Sequence, residues 1–553
     1  MLLSLMELTI LRSPNWQQLA LGGSSLEMWA GTSVAYNLEH IKVASSHQVP
    51  VPCVDPNTTL LVEELAAIFL PHLMFSSMAE YVEYEAMFAM AEAKEFWQGC
   101  VATRDPRLHD HPMLQVPGWQ SIYIPCFIHG DGVEFQKRDS LMVYSWGSLL
   151  TASSSQDSSM LMASWPKSCT AKASAACIGT WAPITKWLKW SFEACFNGLH
   201  PTVDPDGRVL DPASFMGKLA GKPLSPGGFR VAVWCLEGDH EYFSNVLGLP
   251  HWASPTMCWD CDCDVRDPAK TWKTLKPMQQ GWVCKTTAEV MEHPPSSHDF
   301  FQIPGVTSKC VAQDALHIIF TKGILAHLIG SALHTLCWPV TVRQAVPPAT
   351  RLALIFDAVR AYYTEHRSTS RLTNLRLSMF CDVKSPHAQN AFLNTKAAES
   401  KHLLPAIAAV SREASTGSEH DLRRTAALDA ISEFVNLMDE AGRFLEPDMA
   451  DKALELAIRF LGHYAWLNRW ALQQERNVYH IVPKFHMFHH LAINARYLNP
   501  RVYWCFKGED YVGRISTLAA SVTMGVSSIL LSHKIALKYR HCLHFRLTRG
   551  NHD

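Results

Sequence analysis

The residues that could do chemistry are of two kinds. The first is a pair of acids that follow apolar, β-branched runs and sit among glycines. Asp131 lies in His129-Gly-Asp-Gly132 after the run 121–129, and Asp239 follows Gly238 after the run 229–237. Such runs form buried strands, and a carboxylate at a strand's exit can be presented to a ligand by the loop beyond it. Perturbed acids cluster at functional sites; the plainer alternative is a cap or surface residue. The second kind is Cys258-Trp-Asp-Cys261, with Cys263 close behind. A two-residue gap lets two thiolates take one metal ion. A small buried hydrophobe is the plainer role for a cysteine. A redox pair has no thioredoxin-like βαβ pattern around it to support it. A structural Zn²⁺ needs four ligands. Cys258 and Cys261 supply two; His317 is one candidate for the rest, and the cluster of His486, His489 and His490 is another.

These residues need elements to position them. Two strands, 121–129 and 140–146, are joined by a polar turn; a helix over 183–197 ends at Gly198, and the strand 229–237 comes next. This order is that of an α/β domain with a mixed sheet. Residues 151–180, rich in Ser, Ala and Thr, and residues 201–228, rich in Pro and Gly, read as loops. The stretch 60–90 has helix-like periodicity broken at Pro71. From Ala315 to His334 the spacing predicts one long amphipathic helix, and further helices cover 350–366, 421–445 and 447–476. A last helix carries Glu509 and Asp510 into the uncharged run 515–532. The organisation is therefore a mainly helical region over 1–115, a first core part over 116–315 with the cysteine knuckle, a helical block over 316–478, and a last core part with a basic tail over 479–553.

Composition narrows the class. The chain has 553 residues, 48% of them hydrophobic and 18% charged, which suits a packed globular protein of several units rather than disorder. Its net charge of −2 advertises no overall basic character. Sixteen Cys are spread thinly, which fits a reducing compartment better than a disulfide scaffold. The apolar start lacks a basic n-region, so it reads poorly as a signal peptide. The run 515–532 approaches spanning length but is rich in Ser, Thr, Ala and Gly, and a buried helix explains it. No membrane role is expected.

Asp131, Asp239, Cys258-x-x-Cys261, Asp314-Ala-Leu-His317 and the distal His cluster with Phe506-Lys-Gly-Glu509, in that order, together resemble eukaryotic cut-and-paste DDE/D transposases, with the CACTA-like branch the nearest in pattern. The resemblance covers about residues 95–530. It implies an RNase H-like core interrupted by a helical insertion, and a nuclear protein that cuts and joins DNA at transposon ends as a homo-oligomer. By the family's pattern Asp131 would bridge two Mg²⁺ ions, Asp239 would hold one and Glu509 the other, with Asp510 the competing third acid. Hard Mg²⁺ takes carboxylates and keeps several waters, and a metal pair stabilises the attacking and leaving oxygens of an in-line displacement. Lys484 and Arg514, cations near these acids, are candidate phosphate contacts, and Lys534, Lys538 and Arg540 lie in a basic C-terminal stretch suited to a DNA backbone. No zinc finger or helix-turn-helix is recognisable near the start of the chain. The alternative is a catalytically silent, transposase-derived protein that binds nucleic acid or protein and keeps a structural zinc.

Overall fold

The computed structural model describes residues 41–549, apart from 80, 82–83, 138, 276–279, 293–295 and 340–345. The chain divides into Met1–Lys42 and a main unit, Val43–Asp553. In the main unit six strands form one mixed sheet: β1 (His47–Val54), β2 (Leu61–Ile68), β3 (Tyr123–Gln136), β4 (Asp139–Ser148), β5 (Met160–Pro166) and β6 (Arg230–Glu237), in the order β1-β2-β5-β4-β3-β6. All neighbours are antiparallel except β3 and β6. A parallel neighbour requires a crossover, and the helix α1 (Trp181–Asn197) lies within it. This helix stops at Gly198, whose φ of 73° closes its C-terminus.

The register of the parallel pair positions the acids. His129 stands opposite Glu237, so Asp131 on β3 and Asp239 just past the end of β6, each two residues further on, lie level with one another. Adjacent strands are about 4.8 Å apart. The two acids are brought together by pairing, over more than a hundred residues of intervening chain.

Asp131 is not at a strand exit, however. The apolar run ends at His129, but β3 continues to Gln136, with Asp131 opposite Val143 of β4. The strand is buried through Gly130 and surfaces from Asp131 onward, which is why its sequence stops looking like a core strand there. Asp239 does come after a strand end. It caps the short helix α2 (His240–Asn245), its Oδ1 accepting from the Tyr242 amide at 2.6 Å.

Other expectations need correction. Residues 61–68 are strand β2, not helix, and with β1 they extend the sheet, so the region before 115 is not simply helical. The Leu-Val-Glu-Glu-Leu-Ala-Ala-Ile sequence favours helix by propensity, but pairing to β1 overrides it. Strand β5 lies inside the stretch expected to be loop. The long helix from Ala315 is broken. A π-helical turn spans Leu316–Phe320, and α3 (Ile324–Cys337) begins only after Lys322, whose φ is +48°. The segment Leu316–Cys337 is long and apolar enough to cross a membrane, but 83% of its apolar window is buried inside the protein.

Helices α4 (Pro348–Glu365), α5 (Ala397–Glu413), α6 (Glu419–Glu440) and α7 (Pro447–Gln473) form a helical block, and α8 (Pro483–Asn494), α9 (Phe506–Ala520) and α10 (Leu531–Arg549) come after it. Trp466 and Trp470 of α7 are half-buried, with Arg423 over the first and His420 against the second. The uncharged run 515–532 is split between α9, a turn at Gly525 and the start of α10. The basic C-terminal stretch is a packed helix rather than a tail: Ile535, Tyr539, Leu543 and Leu547 are buried, and the Tyr539 hydroxyl accepts from the Leu161 amide of β5 at 3.1 Å.

Candidate functional site

Three carboxylates from three elements meet beside β3, where that strand surfaces from the core at Asp131. Asp131 and Asp239 arrive through the strand register, and Glu509 arrives on the first turn of α9, which packs across β3. Glycine permits that approach. A Cβ on Gly508 would lie 2.3 Å from Nε2 of His129, a fully buried β3 residue whose ring nitrogens find no hydrogen-bond partner among the described residues. Gly130 and Gly238 make similar room for the Tyr242 ring: a Cβ there would fall 2.2 and 2.4 Å from it.

The electrostatics report the convergence. Burial pushes the Asp131 carboxyl up to about 8, and the charges of Glu509 and then Asp239 push the same way, with Glu509 within hydrogen-bonding reach. The amide of Gly132 donates to Asp131 Oδ1 at 2.6 Å, opposing the shift. All three acids are partly exposed, so a substrate can reach them. Asp510 is not part of the group. It is exposed, bonded to the Ser155 hydroxyl, and 3.0 Å from Nε of Arg514.

Behind the acids lies a second layer. The segment before Asp314 runs beside β6, with the Ala312 amide donating to the Leu236 carbonyl at 2.9 Å. Asp314 is buried and accepts from the Leu316 amide at 2.9 Å, the His317 amide at 3.2 Å and the Cys505 amide at 2.9 Å. Its Oδ2 is 2.5 Å from Nδ1 of His317, and Nε2 of the same ring is 3.5 Å from Glu509. Burial alone would lower the His317 imidazole, but Asp314, then Glu509 and Asp239, raise it to about 9. Burial would raise Asp314, yet the bonds from His317 hold it below the usual carboxylate range. His317 therefore belongs to the carboxylate group and not to the cysteine site, which removes it as a zinc-ligand candidate.

The cysteine site begins about 20 residues beyond Asp239 in sequence and closes with α8. Cys258, Cys261, His486 and His490 are all buried, and their ligand atoms lie within 4.8 Å of one another. This Cys₂His₂ cluster could hold a metal ion such as zinc. Among the described residues it is the group of metal-ligating type that meets that distance; the three acids do not. His486 and His490 are four apart on α8 and so share a face. Cys258 Sγ is 3.5 Å from His490 Nε2, Cys261 Sγ is 3.4 Å from His486 Nε2, and the two Nε2 atoms are 3.1 Å apart. Tetrahedral Zn²⁺, with Zn–S of about 2.3 Å and Zn–N of about 2.0 Å, requires edges of about 3.5 and about 3.3 Å. The donor set and its spacing fit.

The surroundings of this cluster suit a metal too. The Asp260 amide donates to Cys258 Sγ at 3.4 Å, and the knuckle is bridged to Cys284 through Cys261. Asp260 Oδ2 lies 3.4 Å from Nδ1 of His490 and accepts from Asn494 at 3.3 Å, while its Oδ1 takes the Lys309 ammonium. A carboxylate behind a ligating imidazole fixes its tautomer and orientation. Burial would raise the Cys258 thiol, but the hydrogen bond from Cys261 and the charge of His490 hold it well below its ordinary value. Trp282 covers the site, its ring 4.9 Å from both His486 and His490. His489 turns aside, packing on Trp282 at 5.3 Å, with its Nδ1 unbonded among the described residues. Cys263 is buried beside the pair.

The expected phosphate contacts are placed unevenly. Lys484 donates to the Thr321 and Lys322 carbonyls at 3.3 and 2.9 Å; burial lowers it to about 8 against the pull of Asp314 and Asp239, so it does stand near the acids. Arg514 is exposed and bonded to Asp510 and Gln156. Lys534 is half-exposed on α10. Lys538 bonds Ser521 at 2.5 Å and Arg540 the Val43 carbonyl at 2.9 Å, so both brace the fold.

Asp260, Trp282, the role of Asp314 and the Gly508–His129 contact do not announce themselves in the sequence. Asp260 has a signal there as the acid inside Cys-x-x-Cys, and Asp314 as the first residue of Asp314-Ala-Leu-His317, whose spacing does not tell its role. No family model matches the chain, and no curated protein matches it.

Proposed function

We propose that this chain is a transposase-like polynucleotidyl transferase, which cleaves and joins DNA strands at transposon ends in the nucleus. The observation that carries the reading is the meeting of Asp131, Asp239 and Glu509 from β3, the end of β6 and the first turn of α9. An RNase H-like core is supported by the order of the sheet: three antiparallel strands, a crossover with a helix, and β6 parallel to β3. The helical block between Asp314 and α8 takes the place of an insertion.

The chemistry of the donor set fits hard divalent cations: three oxygen ligands, one of them raised to about 8 by burial and like charge. Mg²⁺ bound there would stabilise charge on the attacking and leaving oxygens. Asp131 must lose its proton to serve as a ligand. Asp239, held by its bond from the Tyr242 amide, keeps a fixed orientation, and Lys484 offers a cation to a phosphate beside it. The Cys₂His₂ cluster takes the part of a structural zinc, tying the loop after Asp239 to α8 and so to the segment that leads into α9.

A second reading, a catalytically silent relative that binds nucleic acid or protein, is favoured by one observation: the three acids are not all within 4.8 Å of each other, unlike the Cys₂His₂ atoms. A nicking and strand-transfer assay in Mg²⁺ or Mn²⁺ separates the two. Cleavage that is lost in Asp239→Ala and kept in Asp510→Ala supports the first. A folded, zinc-loaded protein that binds DNA but never cuts it supports the second.

A further inference from the structure

Buried Asp314 and partly exposed His317 stand beside the acids, and the reaction itself does not use them. Asp314 sits at the close of the segment paired beside β6 and is 4% exposed. A carboxylate so buried is costly unless its oxygens are satisfied. Here both are, by the amides of its own turn, the His317 ring and one amide of a distant segment. Oδ1 takes the Leu316 amide, which starts its own helical turn, and the Cys505 amide, 191 residues away, at the residue before α9 begins. Oδ2 takes the His317 amide and ring Nδ1. The ring, so oriented, directs Nε2 at Glu509.

Glu509 is thus fixed twice through one carboxylate. Its helix start is anchored by the Cys505 bond, and its side chain is drawn by the His317 ring. Glu509 otherwise stands on the half-exposed first turn of α9, where its neighbour Asp510 faces away to Ser155 and Arg514.

Resting on the carboxylate reading above, we propose that Asp314 and His317 are positioning residues for Glu509: Asp314 orients the His317 ring and pins the start of α9, so that Glu509 is set for a divalent cation shared with Asp131 and Asp239. Supports of this kind behind a ligand change metal affinity about 10- to 100-fold when removed.

The test is Mn²⁺ binding to the full chain, with zinc supplied, followed by the electron paramagnetic resonance signal of free Mn²⁺ and without any DNA. The relevant binding is the part lost in Asp239→Ala. His317→Ala should weaken that part about 10- to 100-fold while its melting temperature in metal-free buffer stays close to the parent's, because His317 is partly exposed. His317→Gln, whose amide can still donate toward Glu509, should recover part of the loss. Asp314→Asn keeps an oxygen for the Cys505 amide and should fall between the parent and His317→Ala. Wild-type-like Mn²⁺ binding in His317→Ala, with binding still lost in Asp239→Ala, overturns the positioning role and leaves the carboxylate reading standing. Absence of any Asp239-dependent Mn²⁺ binding in the parent overturns both.

Discussion

Replacing Gly508 by alanine probes how the third acid is delivered. The added Cβ would sit 2.3 Å from Nε2 and 2.5 Å from Cδ2 of His129. Ordinary Cβ contacts begin near 3.4 Å, so helix and ring must part by about 1 Å (3.4 − 2.3). The ring cannot swing away freely, because His129 is 1% exposed in the middle of the sheet. Overpacking of this kind costs about 1–3 kcal/mol, while alanine in place of glycine within a helix returns about 1 kcal/mol. The net change in stability is therefore small, about 0–2 kcal/mol by those two figures. The effect on the site is not small. A shift of about 1 Å moves Glu509 away from Asp131, and misplacement on that scale costs about 100-fold in rate. Thermal melting paired with the metal-dependent nicking assay measures both. Stability near the parent's with activity down about 100-fold is expected. Unchanged activity would refute the idea that close packing of α9 on β3 sets the acid, and Gly508→Val, with a larger side chain, should be worse than alanine on both measures.

Other perturbations have equally definite outcomes. Removal of zinc by a chelator, or His486→Ala, should empty one bound zinc per chain by mass spectrometry and lower the melting temperature, whereas His489→Ala, outside the ligand set, should keep the metal. In metal-free protein Asp131 holds its proton to about pH 8, while in the unfolded chain it loses it near its ordinary value of 3.8. The unfolded state then binds fewer protons between those limits, so this group's contribution to stability falls as pH rises from about 4 to about 8. Asp131→Asn should raise the melting temperature at pH 8 and leave it unchanged at pH 4; the same gain at both pH values would contradict the shift. Asp421 of α6 pairs with the buried Arg424 at 3.0 Å and is held down to about 2, burial opposing and the Thr416 bonds leading the stabilisation. Asp421→Asn strands that guanidinium, at a cost of about 3–5 kcal/mol, and in the parent the pair's contribution should be present above about pH 4 and fade as pH falls toward 2; a melting temperature of Asp421→Asn equal to the parent's at pH 7 would contradict this.

The sequence reveals the chemistry more readily than its frame. Asp131, Asp239 and the Cys-x-x-Cys pair stand out because acids after apolar runs and paired cysteines are uncommon by type and spacing. The strand, crossover and strand that bring the two aspartates together are visible as apolar periodicity. The choice of the remaining zinc ligands is not, since His317 and the α8 histidines look alike without knowledge of which chain segments touch; the i, i+4 spacing of His486 and His490 is the available clue. Strand β2 is hidden by helix-forming Leu, Glu and Ala whose strand state depends on β1 and on contacts from α10, such as the His533 ring on the Leu65 carbonyl at 2.7 Å. Strand β5 is hidden because the residues around it are small and polar. The break at residues 321–323, Thr-Lys-Gly, is masked by the apolar runs on either side of it, and it is where the carbonyls that receive Lys484 lie. Glu509 and Asp510 are adjacent in sequence and on different faces of one helical turn, so only the packing of α9 tells them apart.

The most direct measurement is a crystal of the zinc-loaded protein soaked in Mn²⁺, read by anomalous scattering. The expected result is Mn²⁺ coordinated by Asp131 and by at least one of Asp239 and Glu509, at a distance between the about 2.0–2.1 Å of Mg²⁺ and the about 2.3–2.6 Å of Ca²⁺ on oxygen. Mn²⁺ found only elsewhere on the chain, or these three carboxyls remaining apart with none of them bound to it, would contradict a shared metal site and leave the Cys₂His₂ cluster as the metal centre of the protein.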